Sequence, residues 1–437
     1  MYSAVTPPSD CDVVVIGAGH NGLVAANYLA DAGLDVVVLD RHEQIGGMTR
    51  SGYPIAAAPE HLINHCAVDP VFWPQGVPAQ ELALHEYGLR WLPVDPAFAY
   101  LHPTGESLAF WRDPAKTAAD IRRFSHADAR AYLELAELFT AVCDVMLPMF
   151  ATNPTRPDLT ALRGAGGGAL RHRGRLVEMA KFLAASGRDE ISERFEHPVV
   201  RSALHVASGC LYPSSYPGST VQMLILAFVH RFECLRPVGG TQAIPDALAA
   251  RLAARGGRVV AAARVAEIDV AGGRATGVTL TGGQEVRARR AVLAACDPRQ
   301  ALSELLPAGA MTPREERRAA AIPANDLGWG QLKVDVACRG ELSLQRFEAD
   351  RTDGANLRAA SHIMGTEDGL VRGYRRAAAG LLPHVDDIGF YNAIPNAVDP
   401  SQTPDGQDAL YLINITCPAH PEGGWTAELR EQAIADT

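Results

Sequence analysis

Residues 12–40 constrain this chain more than any other stretch. Val13–Ile16 is a run of β-branched residues, the pattern of a strand buried on both faces in a parallel sheet. Gly17-Ala18-Gly19-His20-Asn21-Gly22 follows and fits G-x-G-x-x-G, and Leu23–Asp31 continues at helical spacing. Gly33 stands where a C-cap glycine belongs, Leu34–Leu39 reads as a second buried strand, and Asp40 closes it. Each part of such a β-α-β unit has a physical task. Gly17 permits the tight turn, Gly19 lets backbone approach a pyrophosphate, and Gly22 lets the helix pack closely on the strand. The helix N-terminus offers unpaired N–H groups and a positive dipole end to phosphates. Asp40 is placed to accept hydrogen bonds from a ribose. Ala18, His20 and Asn21 complete the loop, His20 through its backbone rather than its ring.

Six residues after Asp40, Gly46-Gly47 leads into Met48-Thr49-Arg50. A nicotinamide dehydrogenase has no need of a second glycine pair here. A protein that binds FAD does, because the longer cofactor runs past the pyrophosphate and a second loop must approach it closely. FAD is therefore the expected cofactor, with Arg41 adding charge near the phosphates and Arg50 a second candidate.

With 437 residues the chain is long enough for two or three domains. A net charge of −10 argues against nucleic acid as a main partner, because a phosphate-binding surface needs a basic excess. The eight cysteines are scattered, with no C-x-x-C pair and no zinc spacing, so no metal is expected and reduced thiols in a cytoplasmic protein are the simplest reading. Met1–Asp10 has no basic and apolar leader pattern, and no apolar run approaches the roughly 20 residues that span a bilayer.

Beyond residue 73 the texture changes. Strands are expected within 91–111 around the turn His102–Gly105. A helix is expected from Ser125 to a break at Pro148, then a Pro- and Gly-rich surface loop over 152–168. Helical patterns return at 175–185, 198–208 and 220–232. Val238-Gly239-Gly240 then precedes a helix at 243–255 and short strands at 259–262, 265–270, 277–280, 285–288 and 291–295. Further strands are expected at 331–337 and 409–416, and a helix at 427–435. The helix over 128–147 carries apolar residues on more than one stripe, including Tyr132, Leu135, Leu138, Phe139, Val142 and Met146. A core helix packed on two sides is the simpler reading; part of it lining or gating an entry for an apolar substrate, or touching a membrane surface, is the alternative.

Gly17–Gly22, Asp40, Gly46-Gly47, Pro237–Gly240 and Ala294–Pro298 together resemble phytoene desaturase/phytoene dehydrogenase-related FAD oxidoreductases. Gly88–Pro93, Phe110–Asp113 and Phe124–Ala129 carry the likeness toward the branch that includes pyridine nucleotide-disulfide oxidoreductase domain-containing protein 2. The resemblance covers most of 12–305. It implies an α/β fold of the glutathione reductase-like kind, an FAD-binding Rossmann domain interleaved with an α+β substrate domain. The FAD-binding domain is expected at 12–73 and 237–305, the substrate domain at 74–236 and 306–437. By the same resemblance Val265 meets the adenine through its backbone. The family's closing Gly-rich, FAD-contacting segment is not found before Thr437, so truncation is expected.

The implied activity is a dehydrogenase or desaturase that removes hydride from an apolar, isoprenoid- or carotenoid-like small molecule. Oxidation of an amine or secondary metabolite, or non-enzymatic binding on the same fold, are the alternatives. No catalytic acid, base or nucleophile is assigned, because flavin carries the hydride chemistry. His20, His61, His65, His205, Tyr212 and Tyr216 are noted as site candidates whose packing or surface role is the simpler one. Substrate identity, electron acceptor and oligomeric state are not legible.

Overall fold

The computed structural model describes residues 6–70, 73–150, 152–153, 155–323 and 328–437. Its contacts divide the chain into two units. One comprises 1–70, 78–91 and 237–324, the other 71–77, 92–236 and 325–437. Both mix helix with sheet, as the α/β class requires.

The first unit is built on a six-stranded sheet. β1 (Asp10–Ile16) and β2 (Val36–Leu39) flank helix α1 (His20–Asp31) in sequence and pair in parallel, with Val13 opposite Val36 and Ile16 opposite Leu39. The order across the sheet is Val265–Ala271, Arg274–Leu280, Glu285–Ala294, β1, β2, Arg258–Val260. Glu285–Ala294 joins β1 in parallel, so segments far apart in the numbering share one sheet. Val14, Val15 and Val36–Val38 are fully buried, which is why this part of the sequence shows an unbroken apolar run instead of alternation. The strands expected at 285–288 and 291–295 are one continuous strand, with Arg289 and Arg290 between them. Exposed arginines there resemble a turn in sequence, yet Arg289 reaches back to Asp10, Asp12 and Asp35 and holds the strand's edge.

α1 packs on the helix Ala243–Ala254 through polar groups inside an apolar contact. Asn27, fully buried, donates to the Leu23 and Leu248 carbonyls at 2.8 and 3.0 Å. The buried Arg251 donates to Asn27 Oδ1, to the Leu82 carbonyl and to Asp31. Every strong donor of this guanidinium finds a partner, which is what makes a buried charge tolerable.

The second unit holds another six-stranded sheet, ordered Trp329–Cys338, Asp408–Pro418, Phe390–Ala393, Ser361–Met364, Phe98–Leu101, Ser107–Phe110. Helices cover it, including Pro114–Ile121, Pro198–Ala207 and Glu367–Ala378. The last of these falls where the sequence shows loops between strands; Thr366 caps it by accepting from Gly369.

Two expectations about 125–171 are corrected. The helix does not break at Pro148 but runs His126–Phe150, and the Pro- and Gly-rich stretch is not a loop but contains the helix Leu159–Arg171. The two corrections have one cause. A proline at 148 cannot donate to the carbonyl of Asp144, four residues earlier. Gly168 lies against that carbonyl so closely that a Cβ would sit 2.4 Å from its oxygen, and a Cβ at Gly164 would meet Pro148 at 2.9 Å. The glycines are the contact surface of a helix, not the punctuation of a loop. Asp158 starts this helix by accepting from Ala161 N at 2.8 Å.

In the helix His126–Phe150, Tyr132, Leu135, Leu138, Phe139 and Val142 all lie in the main core with Phe110, Phe182, Leu204 and Leu226. The wide apolar surface is thus core packing on two sides, and Leu138, fully buried, is not on an entry path. The same stretch of helix also lines, through Leu133, Ala136, Phe139, Thr140 and Cys143, a cavity of about 490 Å³ with Pro114, Ala227, His230 and Arg231. His230 is fixed there by Tyr132 Oη at 2.8 Å and the Trp111 carbonyl at 3.0 Å.

Candidate functional site

The first unit has a cleft of about 600 Å³ at the C-terminal end of β1. Two glycine turns form its floor. Gly17, at φ +105°, occupies a conformation that favours glycine; it donates to the Leu39 carbonyl at 2.7 Å, and a Cβ there would lie 3.0 Å from the Ala295 oxygen. Gly22 sits under the turn, where a Cβ would fall 2.1 Å from the Gly17 oxygen, so only glycine lets α1 start this close to β1. Gly19 is different. Its φ of −70° and ψ of 166° suit any residue, and the nearest heavy atom to a Cβ there is Gly47 Cα at 4.0 Å. Nothing in the protein itself requires glycine at 19; it keeps the cleft floor low.

The second turn meets the first. Gly46 N donates to the Ala18 carbonyl at 2.9 Å, and Gly19 and Gly46 form a parallel bridge. Gly47, at φ +56°, lies against Gly19, where a Cβ would be 3.3 Å from the Gly19 Cα. Thr49 is buried and its hydroxyl donates to the Gly46 carbonyl at 2.8 Å, closing the turn.

Asp40, 8 % exposed, accepts from Ala18 N at 2.7 Å with one oxygen and from His42 N at 2.8 Å with the other. Its carboxylate therefore ties the glycine turn to the end of β2, and its free lone pairs face the cleft that Asp40 lines. Burial lowers the pKa of the His20 ring below the usual histidine value. Burial also lowers that of His42, with Arg50 and Arg41 acting in the same direction and Asp40 against them. Both rings are thus held toward the neutral form, which leaves N–H groups, the α1 terminus and the guanidinium groups of Arg41, Arg50 and Arg264 to meet anionic charge. Burial, helped by Asp297, raises the Cys296 thiol.

Of the sequence's site residues, Gly17, Gly19, His20, Asn21, Asp40, Arg41, Gly47, Met48 and Val265 line this cleft. Ala18, Gly22, Gly46 and Thr49 do not; they support its floor from behind. Among the histidines, His65 lines the cleft, carried by the ribbon Ser51–Gly52/Ile63–Asn64. His61 is buried beside that ribbon in sequence, and neither ring nitrogen has a hydrogen-bond partner among the described residues. His205 belongs to the second unit, where it contacts Ser214 at 3.2 Å and Glu367 at 3.3 Å. Tyr212 and Tyr216 lie there too, packed near Trp329.

The sequence reading missed Cys66, Arg264, Gln300 and Leu305, which also line the cleft, and gave no site role to Cys296 and Asp297, although both lie in the stretch Ala294–Pro298 that carries the family resemblance. Their shared signal is position: Cys296 and Asp297 follow the strand parallel to β1, at the same end of the sheet.

Residues 22–330 match the model of the family described as flavin containing amine oxidoreductase. Among curated relatives, pyridine nucleotide-disulfide oxidoreductase domain-containing protein 2 of Mus musculus is 28% identical over 94% of this chain and 74% of its own length. A component of the limonene dehydrogenase of Castellaniella defragrans is 25% identical over 95% of this chain and 75% of its own. The lycopene-forming phytoene desaturase of Pantoea ananas is 26% identical over 62% and 52%. In fold, the chain is similar to an oxidoreductase from Methanosarcina mazei, with a TM-score of 0.58 at 17% identity over 97% of this chain and 81% of that one. The chain belongs to the flavin containing amine oxidoreductase family, as a phytoene desaturase-related oxidoreductase whose cofactor is FAD.

Proposed function

We propose that this protein removes a hydride from one carbon and a proton from its neighbour in an apolar, isoprenoid-like small molecule and leaves a C=C bond, the hydride passing to FAD and the proton to solvent. The family supplies the FAD and the oxidoreductase class; the substrate is inferred from two similar proteins whose names specify limonene and phytoene. The structural observation that carries the cofactor part is Gly19, a glycine with ordinary backbone angles and open space where its side chain would be. Such a position fits a ligand that must come within contact of the backbone.

In this reading the N–H groups of Gly17–Gly22 and the start of α1 hold the pyrophosphate, with Arg41 beside it. Asp40 accepts from the ribose while keeping its bonds to Ala18 and His42. Val265 meets the adenine through its backbone, and Gly46–Thr49 supports the flavin-side half. Residues 12–73 and 237–305 then belong to the FAD-binding domain, in the unit that also takes in 78–91 and 306–324, and the rest of 74–236 with 325–437 to the substrate domain. When bound, FAD accepts the hydride. The chain's task is to position it, and no side-chain acid or base is assigned to the proton that leaves with the hydride.

Anaerobic mixing of the FAD-loaded protein with cyclic and acyclic isoprenoid hydrocarbons tests the reading. Loss of the flavin's visible absorbance with hydrocarbons, and not with amines, is the expected result. The family's description favours a second reading, amine oxidation. Bleaching by primary or secondary amines alone would establish that reading and overturn the first.

A further inference from the structure

We propose that the buried ring of His61 is a contact for the flavin ring, kept in the first unit without a protein partner. The inference deepens the proposed function and rests on its placement of FAD in the cleft. His61 is 3% exposed, and neither Nδ1 nor Nε2 has a hydrogen-bond partner among the described residues. The other buried histidines differ. His205 Nδ1 lies 3.2 Å from the Ser214 hydroxyl, and His362 Nε2 lies 2.8 Å from the Leu357 carbonyl. A buried polar atom with no hydrogen bond is costly, and two on one ring call for a partner that arrives after folding.

The ribbon Ser51–Gly52/Ile63–Asn64 sets the direction of the ring. Asn64 Oδ1 accepts from Thr241 N at 3.0 Å, and a Cβ at Gly240 would meet Asn64 Oδ1 at 2.8 Å and the Leu62 side chain at 2.9 Å. Leu62 and Asn64 therefore face the turn at Gly240. Side chains alternate along an extended chain, so His61, Ile63 and His65 face the other way, and His65 lines the cleft. Register gives the distance along the ribbon. Ala67 N donates to the Met48 carbonyl, His65 N donates to the Arg50 carbonyl, and Ile63 pairs with Gly52. From 67 back to 61 the chain thus runs away from the second glycine turn. His61 lies at the far end, about 13 Å from His65 for four extended residues. The half of FAD that continues past that turn is the flavin half.

The chemistry selects the same partner. A neutral imidazole carries one N–H donor and one acceptor nitrogen. The pyrimidine edge of a flavin ring offers both carbonyl acceptors and an N–H donor. Phosphate oxygens only accept, and an isoprenoid hydrocarbon has no polar atom to offer. A hydrogen bond from His61 to that edge would orient the flavin ring, and it takes no part in hydride transfer.

Calorimetric titration of the apo protein with FAD, FMN and ADP, together with melting of the same apo samples, tests this. His61→Leu should weaken FAD and FMN alike by about 3- to 10-fold, because both carry the flavin ring, and leave ADP unchanged. The apo variant should melt above the parent, because two buried polar atoms without hydrogen bonds are gone. His61→Gln keeps a donor and an acceptor and should bind both flavins within about twofold of the parent. An apo His61→Leu protein that melts below the parent would show that the ring has a partner in the fold, and would overturn the proposal. Flavin affinities equal to the parent's would also overturn it, as would an equal loss for ADP, which would put His61 at the adenosine half. A parent that binds neither ADP nor FAD would instead refute the placement of the cofactor, and this inference with it.

Discussion

Gly19→Val separates a cofactor contact from a folding requirement. The backbone at 19 has φ −70° and ψ 166°, in the extended region that a β-branched residue accepts readily, and the nearest atom to the new Cβ is 4.0 Å away. The apo protein should lose only the advantage of glycine over an apolar residue at a helix N-cap, about 1 kcal/mol at most. The added methyl groups project into the cleft, where the pyrophosphate must contact backbone. Overpacking of this kind costs about 1–3 kcal/mol, so FAD affinity should fall by roughly 5- to 150-fold. Isothermal titration with FAD gives the affinity, and calorimetric melting of the apo protein gives the stability. A variant that binds FAD like the parent would refute the placement of the pyrophosphate. A variant whose apo form melts far below the parent would refute the claim that position 19 is unconstrained by the fold.

Three further outcomes follow from the same structure. Asp40→Ala should lower both FAD affinity and apo stability, the latter by about 2–4 kcal/mol, because the Ala18 and His42 N–H groups lose their acceptor; denaturant melts of the apo protein check it. Leu138→Glu should destabilise the second unit by at least about 3 kcal/mol, because it places an unpaired charge in the main core; a melting temperature equal to the parent's would show that the helix is not core-facing. Glu367, only 14% exposed, has its carboxyl held at about 2 by the His205 ring and by Arg201. A depressed carboxylate stabilises the fold fully above its unfolded value of 4.5 and loses that stabilisation as pH falls toward 2. The loss is at most roughly 3 kcal/mol. Glu367→Gln should flatten the acid limb of stability against pH between these values, and an acid limb identical to the parent's would contradict the assignment.

The β1–α1–β2 unit was legible because its signals are local: a buried strand, a turn that needs glycine, and a helix with its stop all lie within 12–40. The α/β class followed from it. The helix Leu159–Arg171 was illegible for the opposite reason. Its glycines lower intrinsic helix propensity, by about 1 kcal/mol each, and are justified only by the Asp144 carbonyl that the fold brings against Gly168. Pro148 misled in the same way, since sequence shows the missing donor and not the neighbour that covers the freed acceptor. At the cleft, the motif marked the right turns but not which way each residue faces. Ala18, Gly46 and Thr49 are motif positions that point away from the open space, whereas Cys66 and Gln300 carry no motif and reach it only through the fold.

The account's central claim is that the cleft at Gly17–Gly22, Asp40 and Val265 holds the adenosine and pyrophosphate half of FAD. Titration of the apo protein with FAD and with FMN in parallel tests it most directly. FMN keeps the ring system and one phosphate but lacks the adenosine half. The account predicts that FAD binds at least about 100-fold tighter than FMN, and that Gly19→Val narrows that difference. Equal affinities for the two flavins would contradict it.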